Sequence, residues 1–375
     1  MDSKQVRRSH KTVKIPLPLE PTNLTPETLT FFVQDGGFAQ GNETAEVKKL
    51  SIEALAPGTA FLGSLARLNI TWTNHDCCLP TRLVAKTPTT DPGGLSVGKM
   101  LNVWEREAMF YARLAHQIAT PVPACRANFV DGDQALLILD DLSPSTPGDQ
   151  VTGATLDQAR SAVIALAQLH APFWGKTRTP ELMWVPGIDN RQTAFGLQSA
   201  ISESLPRFLK RFGDGLPSKG IEWLQKFVPL LGTWRDDIVS KPLAIAHADY
   251  RVENMLFAAD NTVSVIDWQT AMYTGGPTDL SYFVATNLEV QLRRDYENEL
   301  IQLYVETLNQ AGISEISFAG IKKDYEHAHL WWMSMLANNL SSIETPDARS
   351  AALFDAMLSR LYSAAIDSEC GRFVT

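Results

Sequence analysis

The sequence lacks several things, and each absence excludes a class of function. No apolar run approaches the roughly 20 residues that a membrane-spanning helix needs. The N-terminus carries basic residues without an apolar stretch behind them, so no secretory signal is expected. Cysteine is scarce: Cys77, Cys78, Cys125 and Cys370 form no Cys-x-x-Cys pair and lie near no His cluster of zinc spacing. That excludes a thiolate metal centre and a disulfide framework, and free thiols in a reducing cytoplasm are the expectation. A basic excess is also missing. The net charge of −9 argues against nucleic acid as a main partner, because phosphate binding needs a cationic surface. The local basic stretch Lys4, Arg7, Arg8, Lys11 and Lys14 reads as a solvated tail. There is no internal repeat, and nothing in the sequence specifies an oligomeric state.

What is present is the composition of an ordinary globular protein, 45% apolar and 20% charged, long enough for two lobes. Thr25-Pro26-Glu27 opens a short helix that Gly36-Gly37 should stop. Three strand candidates follow at Val47 to Leu55, Leu65 to Trp72 and Thr81 to Thr87. The small residues from Ala56 to Ser64, with Gly58 and Gly63, form a turn that is either a plain hairpin connection or one whose backbone amides approach an anion. Pro92-Gly93-Gly94 reads as a linker into a helix. In that helix Val103, Glu107, Phe110, Tyr111 and Leu114 share one face. A carboxylate at Glu107 on that face needs a cation, and Lys86, after three apolar residues, is the evident partner.

Ala135 to Leu139 reads as a strand ending in Asp140-Asp141-Leu142. The Ser-, Pro- and Gly-rich stretch after it marks the crossing between lobes, here taken as 1–142 and 143–375. Thr155 with Gln158 opens a helix. A tryptophan-containing region to about Pro242 holds two more, one over Ile221 to Leu231. Leu243 to Ala246 is a short strand, and Met255 to Phe257 with Val263 to Ile266 forms a hairpin. From about Glu289 onward the pattern is helical. Tyr304, Leu308, Leu330, Met333, Leu336, Phe354, Met357 and Leu361 are its expected core.

The densest chemistry lies in His247-Ala-Asp249-Tyr-Arg251-Val-Glu253-Asn254, followed by Ile266-Asp267-Trp268. This spacing suits phosphoryl transfer from a metal-bound nucleotide. One carboxylate faces the attacking hydroxyl, while an amide and a second carboxylate hold metal ions on the phosphates. Asp249 is the candidate catalytic carboxylate and Asn254 and Asp267 the candidate Mg2+ ligands. Lys86, held by Glu107, would neutralise the α and β phosphates. Arg251 either reaches the transferring group or forms only a local salt bridge, and His247 is placed to orient the loop by hydrogen bonding. Asp279, after Gly275-Gly276-Pro277, either bonds the catalytic-loop backbone or caps a helix.

With these residues in view, the chain resembles the aminoglycoside phosphotransferase and choline kinase superfamily, most of all its ecdysteroid-kinase-like branch and bacterial relatives. The resemblance covers about residues 25–370. It rests on Leu-Val-Ala-Lys86, Glu105-Arg-Glu107, Leu139-Asp-Asp-Leu142, the His247 to Phe257 segment, Val265-Ile-Asp267-Trp-Gln269 and Asp279-Leu-Ser-Tyr-Phe283. It implies an α+β, protein-kinase-like bilobal fold, with an antiparallel sheet in a small N-terminal nucleotide lobe and a larger helical C-terminal lobe. It implies ATP, Mg2+ and a small-molecule alcohol as acceptor. By motif position, Asp140 to Leu142 becomes the hinge whose backbone meets adenine.

The chain departs from the pattern in places. Ala248 stands where the family has glycine, so a negative φ is expected there. The loop at Gly58 to Gly63 lacks a full Gly-x-Gly-x-x-Gly. Twelve residues separate Asp267 from Asp279, too few for the activation segment of a protein kinase. Glu289, Asp295, Glu297 and Glu299 are interleaved with Arg293 and Arg294, which favours a bulky, weakly charged alcohol (steroid-like or hydroxyacyl) over a polycation. The rival readings are an aminoglycoside- or choline-type kinase and a nucleotide-binding pseudokinase scaffold. The intact Asp249, Asn254, Asp267 and Lys86 argue against the scaffold.

Overall fold

The structure, a computed structural model, describes residues 15–35, 44–55, 62–74, 79–343 and 347–374. Its contacts form two compact units. The first draws on Met1–Gln117, Val122–Ser143 and Asp267–Gln269, and the second on Ile118–Pro121, Pro144–Ile266 and Thr270–Thr375.

The first unit opens with α1 (Pro26–Asp35), where the Thr25 hydroxyl accepts from the Thr28 amide. The predicted stop at Gly36-Gly37 lies outside the described residues, as do the basic N-terminal segment, Cys77 and Cys78. Three strands follow, β1 (Val47–Leu55), β2 (Gly63–Trp72) and β3 (Arg82–Pro88). After them come α2 (Pro92–Leu101), α3 (Val103–Arg113), β4 (Cys125–Asp131) and β5 (Gln134–Asp140). The strands form one sheet in the order β1-β2-β3-β5-β4, antiparallel at every step.

Leu29, Phe32 and Val33 of α1 pack on one face of this sheet with Leu68, Leu83, Ala85, Leu136 and Ile138. Alternation along β3 then turns Lys86 to the opposite face, where α3 packs on β4 and β5. Two readings need correction. Pro92-Gly93-Gly94 is not a linker but the first turn of α2: the Asp91 carboxylate accepts from the Gly94 amide at 2.8 Å, and Pro92 occupies the position that needs no donor. Strand β4 went unread because Ala127 and Phe129 are its buried apolar residues and a register shift interrupts it after Cys125.

The second unit is mainly helical. The short strand β6 (Thr146–Pro147) precedes α4 (Leu156–His170), which begins with the predicted reciprocal Thr155–Gln158 cap. Next come α5 (Arg191–Phe212), α6 (Ser218–Phe227) and α7 (Leu231–Val239). The single helix expected over Ile221 to Leu231 is divided, because Pro229 cannot donate a helical hydrogen bond. Strand β7 (Ala244–Ala246) pairs antiparallel with β10 (Met272–Thr274). The hairpin of β8 (Met255–Phe257) and β9 (Val263–Val265) carries β6 on its edge.

Helix α8 (Pro277–Asn287) is buried at every residue. A helix buried all round belongs at the centre, and α4, α9 (Val290–Gln310), α10 (Phe318–Leu340) and α11 (Ala348–Asp367) pack against it. The predicted core positions from Tyr304 to Leu361 are buried. Among the described residues no helix is long and apolar enough to cross a membrane.

Candidate active site

In the first unit, register places Lys86 opposite Leu65 of β2 and Leu137 of β5. Its Nζ lies 2.7 Å from Glu107 Oε2 and 2.8 Å from Asp267 Oδ1. Burial pushes the Lys86 ammonium pKa down, but Asp267 and Glu107 outweigh that and hold it above the ordinary value. Burial pushes the Glu107 carboxyl up, against the pull of Lys86. The Asp267 side chain is 38% exposed, the most accessible of the three.

Helix α3 organises this cluster from one face. Glu107 holds Lys86, and Phe110, three residues on, stacks on Trp268 with ring centroids 3.8 Å apart. Trp268 directly follows Asp267, so the stack anchors the chain beside that carboxylate. Gly63 stands behind Lys86: a Cβ there would lie 3.2 Å from Lys86 Cε and 3.3 Å from the Thr87 carbonyl oxygen. Gly58 lies outside the described residues. The Asp140 carboxylate is taken by Arg126, with two contacts of 2.7 Å, and Asp141 pairs with Arg67 at 3.0 Å. The side chains of this segment are therefore committed to arginines. Its half-buried end at Leu142 can offer a nucleotide only backbone and an apolar side chain.

In the second unit, the loop after β7 carries Asp249. Asp279, on the first turn of α8, accepts from the His247 amide at 2.6 Å and the Ala248 amide at 3.1 Å. Of the two roles open to Asp279 in the sequence, it takes the brace of the loop. The Ala248 φ is +62°, opposite in sign to the expectation. Asp279 fixes the chain up to the Ala248 amide, and the left-handed turn at Ala248 then redirects it into Asp249. For alanine that conformation costs about 1–2 kcal/mol. His247 is fully buried, with Nε2 3.0 Å from the Ile266 carbonyl oxygen, and its own carbonyl accepts from the Thr270 hydroxyl at 2.9 Å.

The Asp249 side chain is 30% exposed. Asn254 Nδ2 donates to its Oδ2 and to its backbone carbonyl, each at 2.9 Å. Arg251 Nε lies 3.2 Å from Oδ2, and Arg251 Nη1 lies 3.0 Å from Glu253 Oε2. Arg349 extends the chain of charges, at 3.1 Å from Glu253 and 3.0 Å from Asp149. Sequence reasoning missed the side chain that meets Oδ1, the hydroxyl of Tyr282 at 3.3 Å. The signal was present in Asp279-Leu-Ser-Tyr-Phe283, since residues three apart share a helix face and Asp279 already faced the loop.

Each unit contributes hard oxygen of the kind Mg2+ prefers. In the second, the Asn254 amide nitrogen is committed to Asp249, so its oxygen is the donor left over; in the first, Asp267 carries a carboxylate. Hard oxygen donors in small number fit an ion whose octahedron phosphates and water complete. The acids once weighed for acceptor charge have other uses. Glu289 caps α9, Glu297 pairs with Arg293 and Tyr325, and Glu299 pairs with Arg160. Trp223, Trp331 and Trp332 are buried, while Trp174 and Trp184 are half-buried.

The model of the ecdysteroid kinase-like family matches residues 57–314. No curated protein matches the chain. Among solved structures, an aminoglycoside 2″-phosphotransferase in complex with GDP and kanamycin is 11% identical with a TM-score of 0.53. The match covers 91% of this chain and 99% of that one. A macrolide 2′-phosphotransferase from Brachybacterium faecium is 16% identical, with 88% and 97% covered and a TM-score of 0.48. The choline kinase of Streptococcus pneumoniae is 12% identical, with 84% and 94% covered and a TM-score of 0.49. The first of these likenesses establishes the α+β, protein-kinase-like fold.

Proposed function

Since the chain belongs to the ecdysteroid kinase-like family, a family of kinase-like small-molecule phosphotransferases, we propose that it moves the γ-phosphoryl of ATP to the hydroxyl of a bulky, weakly charged alcohol, steroid-like or hydroxyacyl. The observation that carries this reading is the setting of Asp249. Its carboxylate is partly exposed, fixed by Asn254 and Arg251, and mounted on a loop braced by a buried carboxylate. Such a group is poised to accept a proton from a hydroxyl as that hydroxyl attacks phosphorus.

In this reading Lys86, oriented by Glu107, contacts the α and β phosphates, and Gly58 and Gly63, the latter at the start of β2 behind that lysine, serve nucleotide binding. Asp140 to Leu142 offers backbone to the adenine. Asn254 and Asp267 hold Mg2+, which when bound neutralises charge on the phosphates. Arg251 contacts the transferring phosphoryl. The N-terminal lobe, 1–142, binds nucleotide, and 143–375 brings catalysis and acceptor. The setting is cytoplasmic, where ATP is plentiful.

The acceptor preference is supported by the engaged acids, since Glu289, Glu297 and Glu299 are already committed within the protein. The test is ADP release from Mg–ATP over a panel of ecdysteroids, sterols, hydroxyacyl esters, choline and kanamycin. Turnover with the first three classes is expected. Turnover with choline or kanamycin alone would reassign the acceptor, and binding of ATP without turnover on any alcohol would favour a scaffold.

A further inference from the structure

Asp249 meets a donor at each carboxylate oxygen, and the two oxygens differ. Oδ2 accepts from the Asn254 amide at 2.9 Å and faces Arg251 Nε at 3.2 Å. Oδ1 accepts from the Tyr282 hydroxyl at 3.3 Å. A carboxylate oxygen can accept two hydrogen bonds: Oδ2 takes one from the amide and has the Arg251 guanidinium beside it as an ion pair, while Oδ1 meets the Tyr282 hydroxyl and keeps capacity for one more donor.

Tyr282 reaches that oxygen from a rigid support. It is buried, and its ring stacks on Trp332 with centroids 4.1 Å apart and planes 23° from parallel. The Trp332 indole N–H donates to the Thr278 carbonyl at 2.6 Å, which fixes the stack to the first turn of α8. A tyrosine with a purely structural task behaves differently. The neighbouring Tyr250 hydroxyl donates to the Ala162 carbonyl at 2.7 Å and is spent on the backbone. Helix α8 thus braces the loop at two levels, with Asp279 on the backbone of His247 and Ala248 and Tyr282 on the side chain of Asp249.

Resting on the phosphotransferase reading of Asp249, we propose that Tyr282 is a positioning residue that fixes the Asp249 carboxylate so that Oδ1 faces the acceptor hydroxyl. In the step it serves, the acceptor O–H proton passes to Oδ1 as the acceptor oxygen bonds to the γ-phosphorus. The bond from that phosphorus to the bridging oxygen breaks, and its electron pair leaves with ADP. Tyr282 keeps its own proton and supplies only direction.

The experiment compares Tyr282→Phe, which keeps the ring and removes the hydroxyl, with the unaltered chain. ADP release from Mg–ATP is followed with water and with an ecdysteroid alcohol as acceptors. The expected result is a fall in kcat of about tenfold with both KM values unchanged, the pattern of an interaction used in the transition state. A folded Tyr282→Phe with unaltered kcat overturns the assignment. If removal of the hydroxyl prevents folding, fluorotyrosines of graded acidity at position 282 decide instead. Rates that follow donor strength support the proposal, and flat rates overturn it. Asp249→Asn in the same assay separates the two levels. Its full activity would remove the reading beneath the proposal, whereas its inactivity beside an unaltered Tyr282→Phe removes the proposal alone.

Discussion

The two units hold their key side chains by opposite means. In the first, Lys86, Glu107 and Asp267 fix one another through charge, and their backbone is a regular strand and helix, apart from a positive φ at Asp267. In the second, Asp249 is fixed through the backbone: a buried carboxylate gathers two amides, and the alanine after them takes a left-handed conformation that leads into Asp249. The difference teaches where each region is vulnerable. Charge changes should damage the first unit, and changes to the loop brace should damage the second.

The sharpest way to break this comparison is Asp279→Ala. It leaves the buried amides of His247 and Ala248 without their acceptor, at about 1–3 kcal/mol each. The expected loss is about 4 kcal/mol in denaturant unfolding of the second unit, with the first nearly unaffected. Lys86→Met comes next. It strands Glu107 in the interior, where loss of one member of a buried pair costs about 3 kcal/mol. A lower unfolding midpoint and at least tenfold weaker nucleotide binding are expected.

Acid should act on the second unit before the first. Burial lowers the pKa of both His327 and His329 to about 4, from 6.5. Asp237 faces His327, and Ser281 and the Tyr325 carbonyl face His329. The folded state therefore binds fewer protons than the unfolded state between these values. The stability these groups contribute is present above pH 6.5 and lost as pH falls toward 4, by about 1.4 kcal/mol for each unit of depression. In the first unit His116 is exposed. Thermal melts from pH 7 to 4.5 should show helical signal from the second unit failing first.

Smaller effects sharpen the comparison. Ala248→Gly should raise stability by about 1 kcal/mol, because glycine adopts the left-handed conformation without steric cost. An equal loss would show that the left-handed alanine carries no such cost. Arg349→Ala removes an exposed guanidinium from Asp149 and Glu253. It should change stability by less than about 0.5 kcal/mol, with any effect on turnover fading at high salt.

The sequence was most legible where local pattern decides structure. The alternation of β2, the Thr155–Gln158 cap and the helical spacing of Glu107 with Phe110 all read correctly, because each depends on near neighbours. One miss was local: the Asp91 cap, two residues before Gly93, is what makes Pro92-Gly93-Gly94 a first helical turn. Other features depend on distant partners. The loop that holds Ala248 is braced by Asp279, thirty-one residues away. Tyr282 read as part of a motif, and its contact with Asp249 appears only when α8 packs centrally in its unit.

The central claim is that Asp249 performs transfer while nucleotide binding belongs to the Lys86 cluster. The most direct test is a paired measurement on Asp249→Asn, with Mg–ATP affinity by calorimetry and phosphoryl transfer by ADP release. The account predicts a dissociation constant within about threefold of the unaltered chain and a rate lower by about a thousandfold. A rate within tenfold, or loss of nucleotide binding to match the loss of transfer, would contradict it.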